Sequence, residues 1–196
     1  MSYEAMDFRG ILGMDGFSNE LLEEHFKLYQ GYVTETNELL ATLETMVADG
    51  KLASAEHAEL RRRLGWEFDG MRLHELYFEN LGGDGRAPSS GALYDQLSRA
   101  KGGFDSWLTE FKAVGSIRGV GWAILCFDSA VGRVQNFWIG EHDCGHAVGA
   151  TPLLVMDVWE HAFMTDYGTN RVGYIDAFLA NVDWRVVEKR LNAAGR

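Results

Sequence analysis

The sequence predicts an α+β protein: a long N-terminal α-helical hairpin followed by an α/β domain with a small three-stranded antiparallel sheet. Three observations carry that expectation. Apolar residues recur with helical spacing from position 21 to position 81. A Gly-, Pro- and Ser-rich stretch, "GGDGRAPSSG" at 82–91, then interrupts the pattern. Beyond it come three short runs rich in β-branched and aromatic residues. The interruption divides the 196 residues into a helical hairpin domain over 1–86 and an α/β domain over 87–196, with the functional site expected between them.

The elements follow in order. Residues 1–17 read as an irregular lead-in with Gly10, Gly13 and Gly16. Ser18 is a good N-cap, because its hydroxyl can accept from the unpaired N–H groups of a first turn, and Glu20, Glu23 and Glu24 suit that positive end. Leu21, Leu28, Tyr32, Leu39, Leu43 and Met46 then share one helical face, which Leu22, Phe26, Tyr29 and Leu40 widen. That helix stops near "DG" at 49–50. A second helix, over about 54–81, carries Leu60, Leu64, Met71, His74, Phe78 and Leu81. Short helices are expected near 90–100 and 104–114. "GWAILCFD" (121–128), "RVQNFWIG" (133–140) and "TPLLVMD" (151–157) read as strands, the first two joined as a hairpin around Ser129 to Gly132. Two closing helices run over about 170–180 and from 183, the latter capped by Asp183 and stopped by Gly195.

Composition narrows the function. Hydrophobic residues make up 46% and aromatics 12%, which suits a packed core and not a disordered chain. A net charge of −11 argues against nucleic acid or an anionic membrane as partner, since both demand basic surface. "ELRRRLG" (59–65), the one basic cluster, reads as a solvated helix face. No apolar run approaches the roughly 20 residues that span a bilayer. The N-terminus has neither the basic head nor the apolar run of a secretory signal, so a cytoplasmic location is expected. Cys126 and Cys144 fit neither a disulfide framework nor a zinc-finger spacing and read as reduced thiols.

The chemistry concentrates in "LLVMDVWEHAFMTDYG" (153–168), where an apolar run admits Asp157 and His161. A carboxylate or imidazole in an interior is costly unless something pairs with it. His25 falls on the first helix's apolar stripe and His74 on the second's, while His142 and His146 lie in the loop after the second strand. His57, in a polar helix start, is expected to be exposed. A single histidine on an apolar face is usually a satisfied core residue. Three of them with one carboxylate, on separate elements that can pack together, point to a metal ion instead. Imidazoles and a carboxylate suit iron or manganese, and zinc as well, so the donor set leaves the metal open.

"DVWEHAF" (157–163), followed by "DY" and "NR", resembles the metal-binding signature of the iron/manganese superoxide dismutases, Asp-x-Trp-Glu-His-Ala-Tyr/Phe. The resemblance spans roughly 18–193 and is strong after 100. "GVGWAIL" (119–125) resembles the family's Gly-Ser-Gly-Trp strand start, and "GGFDSWLTEFKAVG" the helix before it. "HELYF" (74–78) resembles the second-ligand segment, and "NVDWRVVEKRL" (181–191) the terminal helix. It implies dismutation of superoxide at one iron or manganese ion held by His25, His74, Asp157 and His161, with a solvent molecule as fifth ligand. Tyr32 would stand at the mouth of the substrate funnel and relay protons. Trp122 and Trp159, with Tyr77 and Phe78, would keep the site dry, and Arg171 would support the funnel and attract the anion. Glu160 would reach His161 of the partner subunit in a homodimer.

The departures from the family pattern are specific. His25 and Tyr32 stand seven positions apart, one fewer than is usual, as if a local helix bulge had been removed. The family's His-His pair is Leu28-Tyr29, and the signature's Tyr is Phe163, which removes a cross-subunit His–Tyr hydrogen bond. The lead-in lacks the family's Leu-Pro motif. The helix position that can supply a Gln to the bound solvent is Gly70, and the corresponding loop position is His142, which favours iron over manganese. The altered first-helix segment defines the rival expectation, a superoxide dismutase-like scaffold that binds metal, or merely folds, without turnover. A mononuclear iron oxidase on the same fold is a second rival, with a pocket widened at Phe78.

Overall fold

The computed structural model describes residues 2–99 and 102–195. Helix α1, Asn19–Ala48, begins where the Ser18 Oγ accepts from the Leu21 N–H at 3.1 Å. Such a cap is worth about 1 kcal/mol. Helix α2, Ala55–Glu79, is capped in the same way by Ser54 and packs against α1 as a hairpin. α1 is α-helical throughout, so the seven-residue spacing leaves His25 and Tyr32 both buried on its inner side. The lead-in contains one 3₁₀ turn, Arg9–Ile11, and is fastened to α1. Tyr3 exchanges hydrogen bonds with the Asn37 side chain, and the Met6 N–H donates to the Tyr29 hydroxyl at 3.0 Å.

α2 ends two residues before the expected boundary. Asn80 leaves the helix because its amide donates to the Val155 carbonyl at 2.9 Å while its oxygen accepts from Arg190 at 2.7 Å. Leu81 instead bridges to Val182. His57 is half-buried, and its Nε2 is shielded from solvent, contrary to its expected exposure.

Helices α3 (Ala92–Leu97) and α4 (Gly103–Gly115) follow. Ala100, the expected end of the first of these, lies outside the described residues. Strands β1 (Gly121–Asp128), β2 (Arg133–Gly140) and β3 (Ala150–Asp157) form one antiparallel sheet in the order β2-β1-β3. β1, paired on both sides, is buried along nearly its whole length. Its register sets Trp122 opposite Ile139 on one neighbour and Asp157 on the other. Gly121 permits this approach, since a Cβ there would lie 2.0 Å from the Ile139 carbonyl oxygen.

A 3₁₀ turn, Glu160–Ala162, leads into α5 (Met164–Tyr167), α6 (Arg171–Ala180) and α7 (Trp184–Ala194). Asp183 caps α7 as expected. Arg190 of α7 also donates to the Leu153 carbonyl at 2.9 Å and to Glu79 at 2.7 Å. It therefore ties the end of α2 to β3, the two elements that carry His74 and Asp157. Among the described residues, no helix is long and apolar enough to cross a membrane.

Candidate metal centre

α1 supplies His25, α2 supplies His74, the end of β3 supplies Asp157, and the following 3₁₀ turn supplies His161. One ligand atom from each lies within 4.8 Å of all the others. The Nε2 atoms of His161, His25 and His74 stand 3.1, 3.2 and 3.6 Å from Asp157 Oδ2. Donor atoms bonded to one first-row metal ion at about 2 Å come roughly this close to each other. The side chains of His25, His74 and Asp157 are 0% exposed, and that of His161 is 26% exposed.

Local bonds aim these groups inward. The His74 Nδ1–H donates to the Gly70 carbonyl one helical turn back, at 2.6 Å, which leaves the Nε2 lone pair facing the cluster. The Trp159 N–H donates to Asp157 Oδ1 at 2.8 Å, so Oδ2 remains for the centre. Behind it, the Tyr174 hydroxyl donates to the Asp157 carbonyl at 2.6 Å. The Nε2 atoms of His25 and His74 are buried without a hydrogen-bond partner. A buried polar atom left so is destabilising, and an ion at the centre would satisfy both.

Protonation states agree with that fit. Burial lowers the pKa of His25, and burial together with the charge of His25 lowers that of His74 further. Burial alone would raise the Asp157 carboxyl, but the imidazoles of His161 and His25 facing it hold it well below the usual carboxylate range. Neutral imidazoles and an ionised carboxylate are the forms that bind metal.

Around the ligands lies an aromatic shell centred on His142, which is 0% exposed. An indole N–H can only donate. Trp122 Nε1–H therefore donates to His142 Nδ1 at 3.1 Å, and the neutral ring keeps its proton on Nε2. That Nε2–H donates to the Tyr32 hydroxyl oxygen at 2.8 Å. Burial pushes the His142 pKa down to about 4 and the Tyr32 pKa up, so both are neutral near pH 7. Gly70 belongs to the same arrangement: a Cβ there would come within 2.7 Å of the Tyr32 ring.

The other expected residues fall as follows. Trp159 stacks on His142 with centroids 4.7 Å apart, and Phe78 and Tyr77 pack 4.9 and 5.3 Å from His25. Arg171 donates to the carbonyls of Ile117 and Gly119 and lies over the Phe163 ring. Glu160 is exposed beside His161. His146 lies outside the cluster and donates to the His142 carbonyl at 2.8 Å. Trp66 is a site residue that sequence reasoning passed over. Its ring centroid is 4.6 Å from His142 and 5.5 Å from Tyr32, in an open cleft of about 480 Å³. Arg63 is not the purely solvated charge expected of the basic cluster, because its guanidinium lies 3.8 Å above Trp66 and pairs with the buried Glu67. Positions 66, 70, 74 and 78 share one helical face, a signal for Trp66 that was present in the spacing.

Three imidazoles and one carboxylate, gathered between a helical hairpin and a small sheet and bordered by aromatic rings, are a donor set that fits a single metal ion. Metal-binding proteins are the class to which this fold and site point. Comparison with known proteins narrows it. Residues 89–190 match the family described as iron/manganese superoxide dismutases, C-terminal domain. The chain is 38% identical to the superoxide dismutase [Fe] of Aquifex aeolicus (strain VF5) over 186 residues, covering 92% of this chain and 87% of that one. It is 37% identical to the superoxide dismutase [Fe] of Aquifex pyrophilus, with the same coverage. With superoxide dismutase [Mn] 2 of Haloferax volcanii it shares 34% identity over 160 residues, 82% of this chain and 79% of the other. The chain belongs to the iron/manganese superoxide dismutase family.

Proposed function

We infer that the protein is a superoxide dismutase holding one iron or manganese ion per chain on His25, His74, Asp157 and His161, with iron preferred. One observation carries the reading: in a chain of this family, three imidazole nitrogens converge on one carboxylate oxygen, and two of them are buried without partners. An ion held there would supply one-electron redox chemistry, by which one superoxide leaves as dioxygen and a second, with two protons, leaves as hydrogen peroxide.

The chain's own residues govern protons, water and access. Tyr32 accepts from His142 Nε2–H, so its hydroxyl proton is free to point at the substrate, and burial keeps that proton in place. Trp122 fixes the His142 tautomer that makes this possible. Trp122 and Trp159, with Tyr77 and Phe78, exclude water from the centre, and Trp66 walls the outer side. Arg171 holds the segment before β1 and adds positive potential for an anionic substrate on an acidic protein. The preference for iron is supported by His142 in the place where a Gln would serve, and by the Aquifex relatives named as iron enzymes.

The protein further reads as a cytoplasmic homodimer with a domain boundary near 86/87. Two free cysteines support the location. The exposed Ile117, Met164 and Val172, near Arg171 and Glu160, support the dimer. Metal analysis and superoxide turnover on one purified sample test the function. About one iron or manganese per chain with turnover is expected. Full occupancy without turnover would return the protein to the inactive scaffold. Zinc alone, persisting after reloading with iron and manganese, would remove redox function altogether.

A further inference from the structure

We propose that Glu141 is a positioning residue for His142: its left-handed backbone turns the imidazole into the site, and its oxygens hold the two indoles that clasp the ring. The proposal rests on the reading that His142 serves Tyr32. Among the described residues, Glu141 is the one non-glycine with a positive φ, +50°. Such a conformation disfavours a side-chain-bearing residue and persists where the surroundings over-determine it.

Those surroundings are on both sides of the residue. Gly140 and Cys144 exchange backbone hydrogen bonds of 2.8 and 3.1 Å, closing a short turn at the end of β2. The Glu141 N–H donates to the Val120 carbonyl at 3.1 Å and anchors the turn to the start of β1. Within it, His142 is buried while Glu141 and Asp143 are exposed. The Glu141 carboxylate Oε2 accepts from Trp66 Nε1–H at 3.1 Å, and its carbonyl accepts from Trp159 Nε1–H at 3.3 Å. Trp66 meets His142 edge-on at 4.6 Å, and Trp159 stacks on it at 4.7 Å. One residue thus fixes two of the rings that touch the imidazole, and Trp66 also touches Tyr32.

Three substitutions separate positioning from plain folding. Glu141→Ala removes the carboxylate and keeps the strained backbone. Glu141→Gly removes the carboxylate and relieves the strain. Glu141→Gln keeps an oxygen that accepts from Trp66. The readouts are the assigned indole N–H resonances of the metal-free protein, the melting temperature, and turnover per bound ion. Trp122 reports on His142 through its own hydrogen bond, which does not involve Glu141. Its resonance should move in the Ala and Gly variants, with turnover lowered about tenfold, the low end for partners that orient a metal site. Glu141→Gly should melt at or above the wild type despite that loss, a separation that a residue serving only the fold would not give. Glu141→Gln should restore the Trp122 resonance and most of the turnover. An unmoved Trp122 resonance in both Ala and Gly variants overturns the proposal, whatever their turnover. If the wild type fails to dismutate superoxide, the functional reading falls, and the metal-free resonances still decide Glu141.

Discussion

His74 and His142 are both fully buried, with centroids 6.0 Å apart, yet the chain holds them in different ways. His74 sits inside α2, its Nδ1–H bonded to a carbonyl of its own helix. His142 stands in a short turn and takes its orientation from Trp122, Tyr32, Trp66 and Trp159, which come from four other parts of the fold. The first arrangement is set by local geometry and the second by tertiary contact. The ligand cluster should accordingly fail as a unit with metal and stability, whereas the shell around it should fail in rate.

The strongest test of that contrast is Asp157→Ala. Asp157 Oδ2 is the point on which all three ligand histidines converge, and no other carboxylate is within reach of them among the described residues. The variant should lose metal binding and at least about 3 kcal/mol of stability, since removing one member of a buried ionic group leaves the others unpaired. Metal content near one ion per chain in this variant would refute the ligand assignment.

A smaller effect, of a different kind, is expected at His142. His142→Ala should keep the fold and most of the metal while losing about 10- to 100-fold in turnover, because Tyr32 loses the donor that orients it. His142→Gln should retain more activity and shift the balance between iron and manganese. Reloading each variant with each metal separates the two quantities. Wild-type rates per bound ion in His142→Ala would make it a structural loop residue and erase the contrast with His74.

Gly70 joins the two regions, since its carbonyl orients His74 and its bare Cα makes room for Tyr32. Gly70→Ala forces the Tyr32 ring away from a contact of 2.7 Å. Overpacking of this kind costs about 1–3 kcal/mol, against which the higher helix propensity of Ala offsets roughly 1 kcal/mol. Turnover should fall through Tyr32 while the metal stays, as calorimetry and metal analysis would register. A variant with unchanged turnover and a raised melting temperature would show that Tyr32 has room to move.

The same division explains what the sequence made legible. Helices and strands follow from periodicity, which local backbone geometry turns into positions, and the four expected ligands follow from the resemblance of "HELYF" and "DVWEHAF" to the family's segments. The contacts of His142 depend on residues far apart in the chain, so Trp66 went unread, and so did the bonds by which the neighbouring Glu141 meets Trp66 and Trp159. The end of α2 was missed for the same reason, because Asn80 leaves the helix to meet Val155 and Arg190. His57 looked exposed from its polar neighbours in sequence, but burial is set in three dimensions, and it is half-buried.

The smallest effect on the site itself is expected at Glu160. Three ligand side chains are sealed at 0% exposure, but His161 remains 26% exposed in the single chain, with the exposed Glu160 next to it. A partner subunit that laid its Glu160 against this imidazole would finish the enclosure. Twofold symmetry would make the contact twice. At about 1.5 kcal/mol for each hydrogen bond to a charged group, the pair is worth about 3 kcal/mol, roughly a hundredfold in dimer dissociation. Glu160→Ala should therefore raise the dissociation constant by about that factor and leave Asp157, His25 and His74 undisturbed. Sedimentation over a concentration series, with metal content measured on the same samples, reads both. An unaltered dimer would mean that His161 is covered by some other group, and the ligand cluster would then be complete within one chain.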